Sequence, residues 1–203
     1  MKVPINKFLH ELSVSRNKDK IKLVFLSIGN PAQKYANTRH NAGHEVLQAA
    51  VRYLGGASSN STGNATIGEF SNYRNVYFAE SSTFMNESGK ALRDVLNKVK
   101  GEEIKIIIVH DDMALEPGEV KFKLASKAAG GHNGLKDIVK YGEFPRLRVG
   151  IGAPPAMDSR SVTKFVLGKF RPIEKKAFDE RIPETVAIIK QIASALDYKK
   201  PTA

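Results

Sequence analysis

Three short blocks carry most of the chemistry in this sequence: Thr38-Arg39-His40-Asn41, His110-Asp111-Asp112 and Gly130-Gly131-His132-Asn133-Gly134. Asn30 and Met85-Asn86 add two further amides at points where apolar runs stop. An imidazole titrates near neutral pH, so His40 is suited to taking a proton from water. A carboxylate such as Asp111, bonded to the other ring nitrogen, would fix the tautomer and steady the imidazolium. The uncharged amides of Asn30, Asn86 and Asn133 offer donors and acceptors together, which suits the backbone of a peptide. One such donor aimed at a developing oxyanion strengthens the case for ester hydrolysis by an activated water. Every one of these residues also has a plainer use. Asn30 before Pro31 forms turns, Asn86 and Asn133 cap helices, His132 fits a loop, and Asp111-Asp112 fits a solvated turn. Their joint placement at strand ends and helix starts is what favours one shared site.

Rival chemistries meet fewer of their requirements. His40 and His44 stand four apart with Glu45 adjacent, but the HExxH order is not met and no third ligand follows by spacing. Ser88-Gly89 lacks the strand–GxSxG–helix context of a serine hydrolase. Gly130-Gly131 has no GxxxxGK[ST] spacing and is no phosphate loop. Cysteine is absent, which removes disulfides, thiolate metal sites and cysteine nucleophiles together.

To bring such residues into one crevice, strands must end where helices begin. The run from Ile21 to Ile28, stopping at Gly29-Asn30-Pro31, reads as a buried central strand. Helical spacing follows at Val46, Leu47, Ala50, Val51 and Leu54, closed by Gly55-Gly56. Residues 58–63 read as a polar surface loop, and residues 65–70 and 75–80 as strands around Ser71-Asn72. A second helical stripe runs from Ala91 to Val99, a second buried strand from Ile104 to Val109, and shorter strands cover 120–124 and 147–151. Helices are expected after Gly134, around 162–167, and from Glu184 to Leu196 with Pro183 at the first helical position. Alternating strands and helices predict a single-domain α/β three-layer sandwich, with a mixed, mostly parallel twisted sheet flanked by helices.

The chain has 203 residues and a net charge of +11, unevenly spread. Residues 121–176 hold 13 basic and 4 acidic side chains, whereas residues 1–120 hold 15 and 13. A polyanion is thus expected to meet the third quarter of the chain. No apolar run reaches the roughly 20 residues needed to span a bilayer. Residues 1–20, with Lys2, Lys7, Arg16, Lys18 and Lys20 around Ile5, Phe8, Leu9 and Leu12, are expected to be a disordered or loosely packed basic extension, leaving 21–198 as the catalytic domain. A weak organelle-targeting helix is the alternative, and Glu11 and Asp19 count against it.

In order along the chain, these segments resemble the bacterial-type peptidyl-tRNA hydrolases. The likeness rests on Ile28-Gly29-Asn30-Pro31, Thr38-Arg39-His40-Asn41-Ala42-Gly43, Phe84-Met85-Asn86-Glu87-Ser88-Gly89, His110-Asp111-Asp112, Gly130 to Lys136, Arg146 to Gly152, and Phe165 to Phe170. It implies hydrolysis of the ester between a peptide and the 3′-terminal ribose of tRNA, which returns tRNA to translation. The resemblance also implies roles: His40 as catalytic base, Asp111 as its orienting partner, and Asn30, Asn86 and Asn133 on the peptide backbone and reacting carbonyl. Tyr35, Met85 and His132 would shape the substrate channel, and Lys121, Lys123 and Arg148 would meet tRNA phosphates. No metal or organic cofactor is implied. The expected partner is peptidyl-tRNA, met by a cytoplasmic or mitochondrial monomer that needs no membrane. Departures are visible too. Ser27 and Ala32 stand where glycines are usual, and Ala125-Ser126-Lys127-Ala128-Ala129 replaces a glycine- or serine-rich run, where Lys127 is expected to take over a phosphate contact.

Overall fold

A computed structural model describes residues 3–15, 17–57 and 59–196. In chain order its first elements are α1 (Val3–Val14), β1 (Ile21–Ser27), the four-residue α2 (Ala32–Tyr35), α3 (Ala42–Leu54), β2 (Asn60–Ser61), β3 (Ala65–Glu69) and β4 (Val76–Ser81). There follow α4 (Ser88–Lys98), β5 (Glu103–Asp112), β6 (Val120–Ser126), α5 (Asn133–Ile138), β7 (Phe144–Gly150), α6 (Ser159–Val166) and α7 (Pro172–Leu196).

The strands form one seven-stranded sheet in the order β2-β3-β4-β1-β5-β7-β6. β4, β1, β5 and β7 run parallel, while β3 opposes β4 and β6 opposes β7. The expected mixed sheet, parallel at its centre, is therefore what the chain builds. Its central strands are apolar at successive positions because both faces are covered. Successive side chains point to opposite faces, so Leu23, Phe25, Ile107 and Val109 enter one core and Val24, Leu26, Ile106 and Ile108 the other. Helices α1, α3, α6 and α7 supply the first core through Phe8, Leu12, Val46, Leu47, Val166, Phe178 and Ile189. Helices α4 and α5 supply the second through Ala91, Leu92, Val95, Leu135 and Ile138. These are the three layers of the sandwich.

Three expectations need correction. The N-terminal segment is not a loose extension: α1 buries Phe8 and Leu12, with Phe8 and Phe122 rings 5.2 Å apart. Ile5, Phe8, Leu9 and Leu12 lie among basic residues, yet their i, i+3, i+4, i+7 spacing makes them one stripe. Pro183 does not open a helix; it lies inside the 25-residue α7, which starts at Pro172. The missing N–H costs one bond, but the apolar face continues from Phe178 to Val186 and Ile189, and its burial carries the helix past the break. Residues 58–63 include the short edge strand β2.

Candidate active site

Parallel β1 and β5 end side by side, and the loops leaving them carry Asn30 and Asp111. Asn37, at φ 60°, turns the chain after α2 into Thr38, a left-handed conformation that asparagine tolerates. A 3-10 turn over Arg39–Asn41 then leads into α3. Its buried Arg39 anchors that turn from behind: Nη2 donates to Glu174 Oε2 at 2.6 Å, Nη1 to the Phe165 carbonyl at 3.2 Å, and the guanidinium lies 4.2 Å from the Phe165 ring centre. Gly43 brings the start of α3 onto β5, since a Cβ there would stand 2.7 Å from the Val109 carbonyl oxygen.

This close approach places His40 against Asp111. His40 Nδ1 lies 2.9 Å from both carboxylate oxygens of Asp111. With Nδ1 donating there, Nε2 keeps its lone pair. Asp111 also receives His132 Nε2 at 2.9 Å, and His132 Nδ1 accepts from Leu135 N–H at 3.2 Å, capping α5. Both nitrogens of His132 are thereby committed, Nε2 donating and Nδ1 accepting. Burial pushes the Asp111 carboxyl up, but the two imidazoles outweigh it and hold the group well below the usual carboxylate range. For His40, burial pulls downward and the Asp111 charge and hydrogen bond more than offset it, so its pKa is raised.

Asn30 is held on three sides. Its Oδ1 accepts from Met85 N–H at 2.9 Å, its N–H donates to Asn41 Oδ1 at 2.8 Å, and its carbonyl accepts from Asn41 Nδ2 at 2.8 Å. The Asn30 amide NH2 has no hydrogen-bond partner among the described residues, and Asn30 lines the cleft. That cleft, of about 700 Å³, is lined by Asn30, His40, Met85, Asn86, Asp111, His132 and Asn133 at one end. Lys123, Arg146 and Arg148 line it further along, and Met157, Val162, Val166 and Leu167 form an apolar wall.

The structure thus brings nine of the twelve expected site residues to the cleft wall and leaves Tyr35, Lys121 and Lys127 outside it. Tyr35 packs edge-on to Phe84, with centroids 6.4 Å apart. Lys121 pairs with Glu119 at 2.7 Å, and Lys127 is exposed. Arg148, within the cleft, donates to Asp112 at 2.6 Å. His132 sits deeper in the chemistry than channel-shaping implies, and it, rather than Asn133, caps α5.

Sequence reading missed three contributors. Asn41 clamps the Asn30 backbone, and only its position beside His40 hinted at this. Arg146, 3% exposed, donates to the carbonyls of Ala128 and Ser126 and so fixes the loop bordering the cleft. His110 gives its Nδ1–H to the Asp111 carbonyl at 2.7 Å, and burial, the largest cause, pushes its pKa down to about 3.

The ligand atoms of His40, Asp111 and His132 lie within 4.8 Å of one another, a cluster that invites a metal. The hydrogen bonds do not fit one. Coordination through His132 Nε2 would put the proton on Nδ1, where it would face the Leu135 N–H. The weaker grouping of His40, His44 and Glu45 is dispersed: His44 Nδ1 meets Ser27 Oγ at 2.8 Å, and Glu45 pairs with Lys175 at 2.6 Å.

Comparison with known proteins bears on the family to which the chain belongs. The family model described as Peptidyl-tRNA hydrolase matches residues 24–201. The peptidyl-tRNA hydrolase of Syntrophomonas wolfei is 36% identical over 171 residues, covering 82% of this chain and 91% of that protein. That of Shewanella woodyi is 40% identical over 181 residues, covering 82% and 87%. A crystal structure of peptidyl-tRNA hydrolase from Acinetobacter baumannii superposes with a TM-score of 0.70 at 29% identity, covering 93% of this chain and all of that one. With most of its length matched in sequence and in fold, this chain belongs to the peptidyl-tRNA hydrolase family.

Proposed function

We propose that this protein hydrolyses the ester joining a peptide, or an N-blocked aminoacyl group, to the 3′-terminal ribose of tRNA, with His40 as the general base. The observation that carries the reading is the His40–Asp111 contact: both carboxylate oxygens lie 2.9 Å from Nδ1, while His40 lines the cleft. Nε2 takes a proton from a water in the cleft as that water attacks the ester carbonyl. The carbonyl oxygen gains charge, and the Asn30 amide NH2 is the donor placed to meet it. Collapse of the tetrahedral intermediate expels the ribose oxygen, which recovers the proton from the His40 imidazolium. Asp111 steadies that imidazolium throughout, and His132 keeps the carboxylate aimed.

Asn86 and Asn133, exposed on the cleft wall, hold the peptide main chain, Met85 bounds its path within the cleft, and Tyr35 acts from outside the cleft wall, against Phe84. Main-chain recognition tolerates many peptide sequences. Lys121, Lys123, Lys127 and Arg148 take the tRNA phosphates, in the segment where positive charge is concentrated. The protein works without a metal or organic cofactor and as a monomer. Among the described residues no helix is long and apolar enough to cross a membrane.

Hydrolysis of a defined N-blocked aminoacyl-tRNA by wild type and His40→Ala, each with and without excess chelator, tests the reading. Wild-type turnover should be indifferent to chelator. The variant should lose turnover by about 10³-fold or more while binding tRNA nearly as well. Tight binding of tRNA by the wild type with no release of peptide would mark an RNA-binding protein on an enzyme scaffold instead.

A further inference from the structure

Lys121 and Lys123 stand on β6, the last strand of the sheet, whose only strand neighbour among the described residues is β7. Its ladder to β7 shifts register between Lys123 and Ser126. An edge strand interrupted by a bulge is among the easiest parts of a sheet to displace, and something besides the ladder must hold it. At its end Arg146 does so, through the carbonyls of Ser126 and Ala128. Along its length the support comes from α1.

Side chains alternate on β6, so Phe122 and Leu124 turn away from the face that carries Lys121 and Lys123. They pack into the core that Phe8 and Leu12 of α1 help to form. Phe8 and Phe122 rings sit 5.2 Å apart, and Leu12 is fully buried. The same helix touches α7, which is fixed to the body of the fold by Phe178, Ile189 and Ile192. The family match begins at residue 24, so α1 lies outside it.

We propose that α1 is a positioning element for the RNA-contacting strand: wedged between α7 and the back of β6, it sets the height and tilt at which Lys123 and Lys121 meet a tRNA phosphate. This rests on the reading of β6 as part of the tRNA surface. His40, Asp111 and Asn30 stand on other elements, so the helix acts on substrate affinity and leaves the chemical step alone.

Steady-state kinetics of the full-length protein on peptidyl-tRNA test it, using Phe8→Ala, Phe8→Leu, Lys123→Ala and, on the opposite face of the sheet, Val95→Ala. Phe8→Ala should raise KM about threefold or more with kcat held within about twofold, and Phe8→Leu should restore most of the loss. The salt dependence of tRNA binding should flatten in Phe8→Ala as it does in Lys123→Ala. Val95→Ala, which removes a comparably buried side chain under α4, should lower the melting temperature and leave KM unchanged. If Phe8→Ala and Val95→Ala shift KM alike while Lys123→Ala raises it, α1 only stabilises the fold and the proposal is overturned. If Lys123→Ala itself leaves KM and salt dependence unchanged, the reading of β6 as an RNA surface fails first and takes the proposal with it. Should Phe8→Ala not fold, Leu12→Val carries the same expectation at smaller amplitude, and an unchanged KM there overturns the proposal.

Discussion

His132 and His40 donate to the same carboxylate, yet only one of them has a nitrogen to spare. His132 spends its second nitrogen on Leu135 N–H, whereas His40 Nε2 keeps its lone pair on a residue of the cleft wall. That difference is the reason for proposing His40, and not His132, as the proton acceptor. The base must be neutral to work, and its pKa is raised above the ordinary 6.5, so kcat/KM should fall as pH drops through a midpoint above 6.5. Asp111→Asn removes the charge that raises it. The midpoint should then move to lower pH, and the plateau should drop by as much as about 10⁴-fold, the scale of losing an orienting carboxylate. A pH–rate profile of both proteins checks this, and an acid limb that stays in place would reassign it to another group. His40, Asp111 and the three asparagines were legible through their joint placement at strand ends and helix starts, since each alone has a plainer use. Asn41, Arg146 and His110 were not, because their jobs exist only through neighbours that the linear order does not reveal.

Elements position these residues through close contacts that leave little tolerance. The start of α3 reaches β5 only because residue 43 is a glycine, with the Val109 carbonyl oxygen 2.7 Å from where a Cβ would lie. Gly43→Ala should push the turn carrying His40 away from Asp111, cutting kcat by about 10-fold or more, since displacements near 1 Å are costly in a preorganised site. Stability should fall by about 1–3 kcal/mol, as overpacking commonly costs. Kinetics and thermal melts together check it; a fall in stability with unchanged kcat would show that the turn repositions itself. The strands and most helices were readable from periodicity alone, since β1 and β5 are apolar on both faces and α3 and α4 show clear stripes. What escaped were α1, whose stripe is only four residues wide among charges, and the first half of α7, where Pro183 looked like a beginning. In both cases tertiary burial outvoted a local signal.

Across the whole molecule, positive charge is concentrated in residues 121–176, but its members are not equally available. Lys121 is paired with Glu119 and Arg148 with Asp112, while Lys123 and Lys127 have no ion-pair partner among the described residues. A phosphate arriving at a paired cation must compete with a carboxylate already there. Lys123→Ala should therefore reduce the slope of log Kd against log salt by about 0.7–0.9, one phosphate's share, and Lys121→Ala by clearly less. Titrations of tRNA binding over a range of salt concentrations decide this, and equal losses from the two variants would show that the Glu119 pairing is irrelevant in the complex. Net charge predicted the partner's sign, but which lysines are free depended on acidic neighbours that only the fold supplies.

Asn41 follows His40 directly, and its side chain grips both the N–H and the carbonyl of Asn30. His40 and Asn30, proposed as proton acceptor and amide donor, are thereby buckled into one rigid piece, although they come from opposite ends of a loop. The stretch between them, α2 included, is relieved of any duty to hold the two ends in register. Such a loop can drift in sequence, or gain and lose residues at its tip, and the reacting groups will stay fastened to each other.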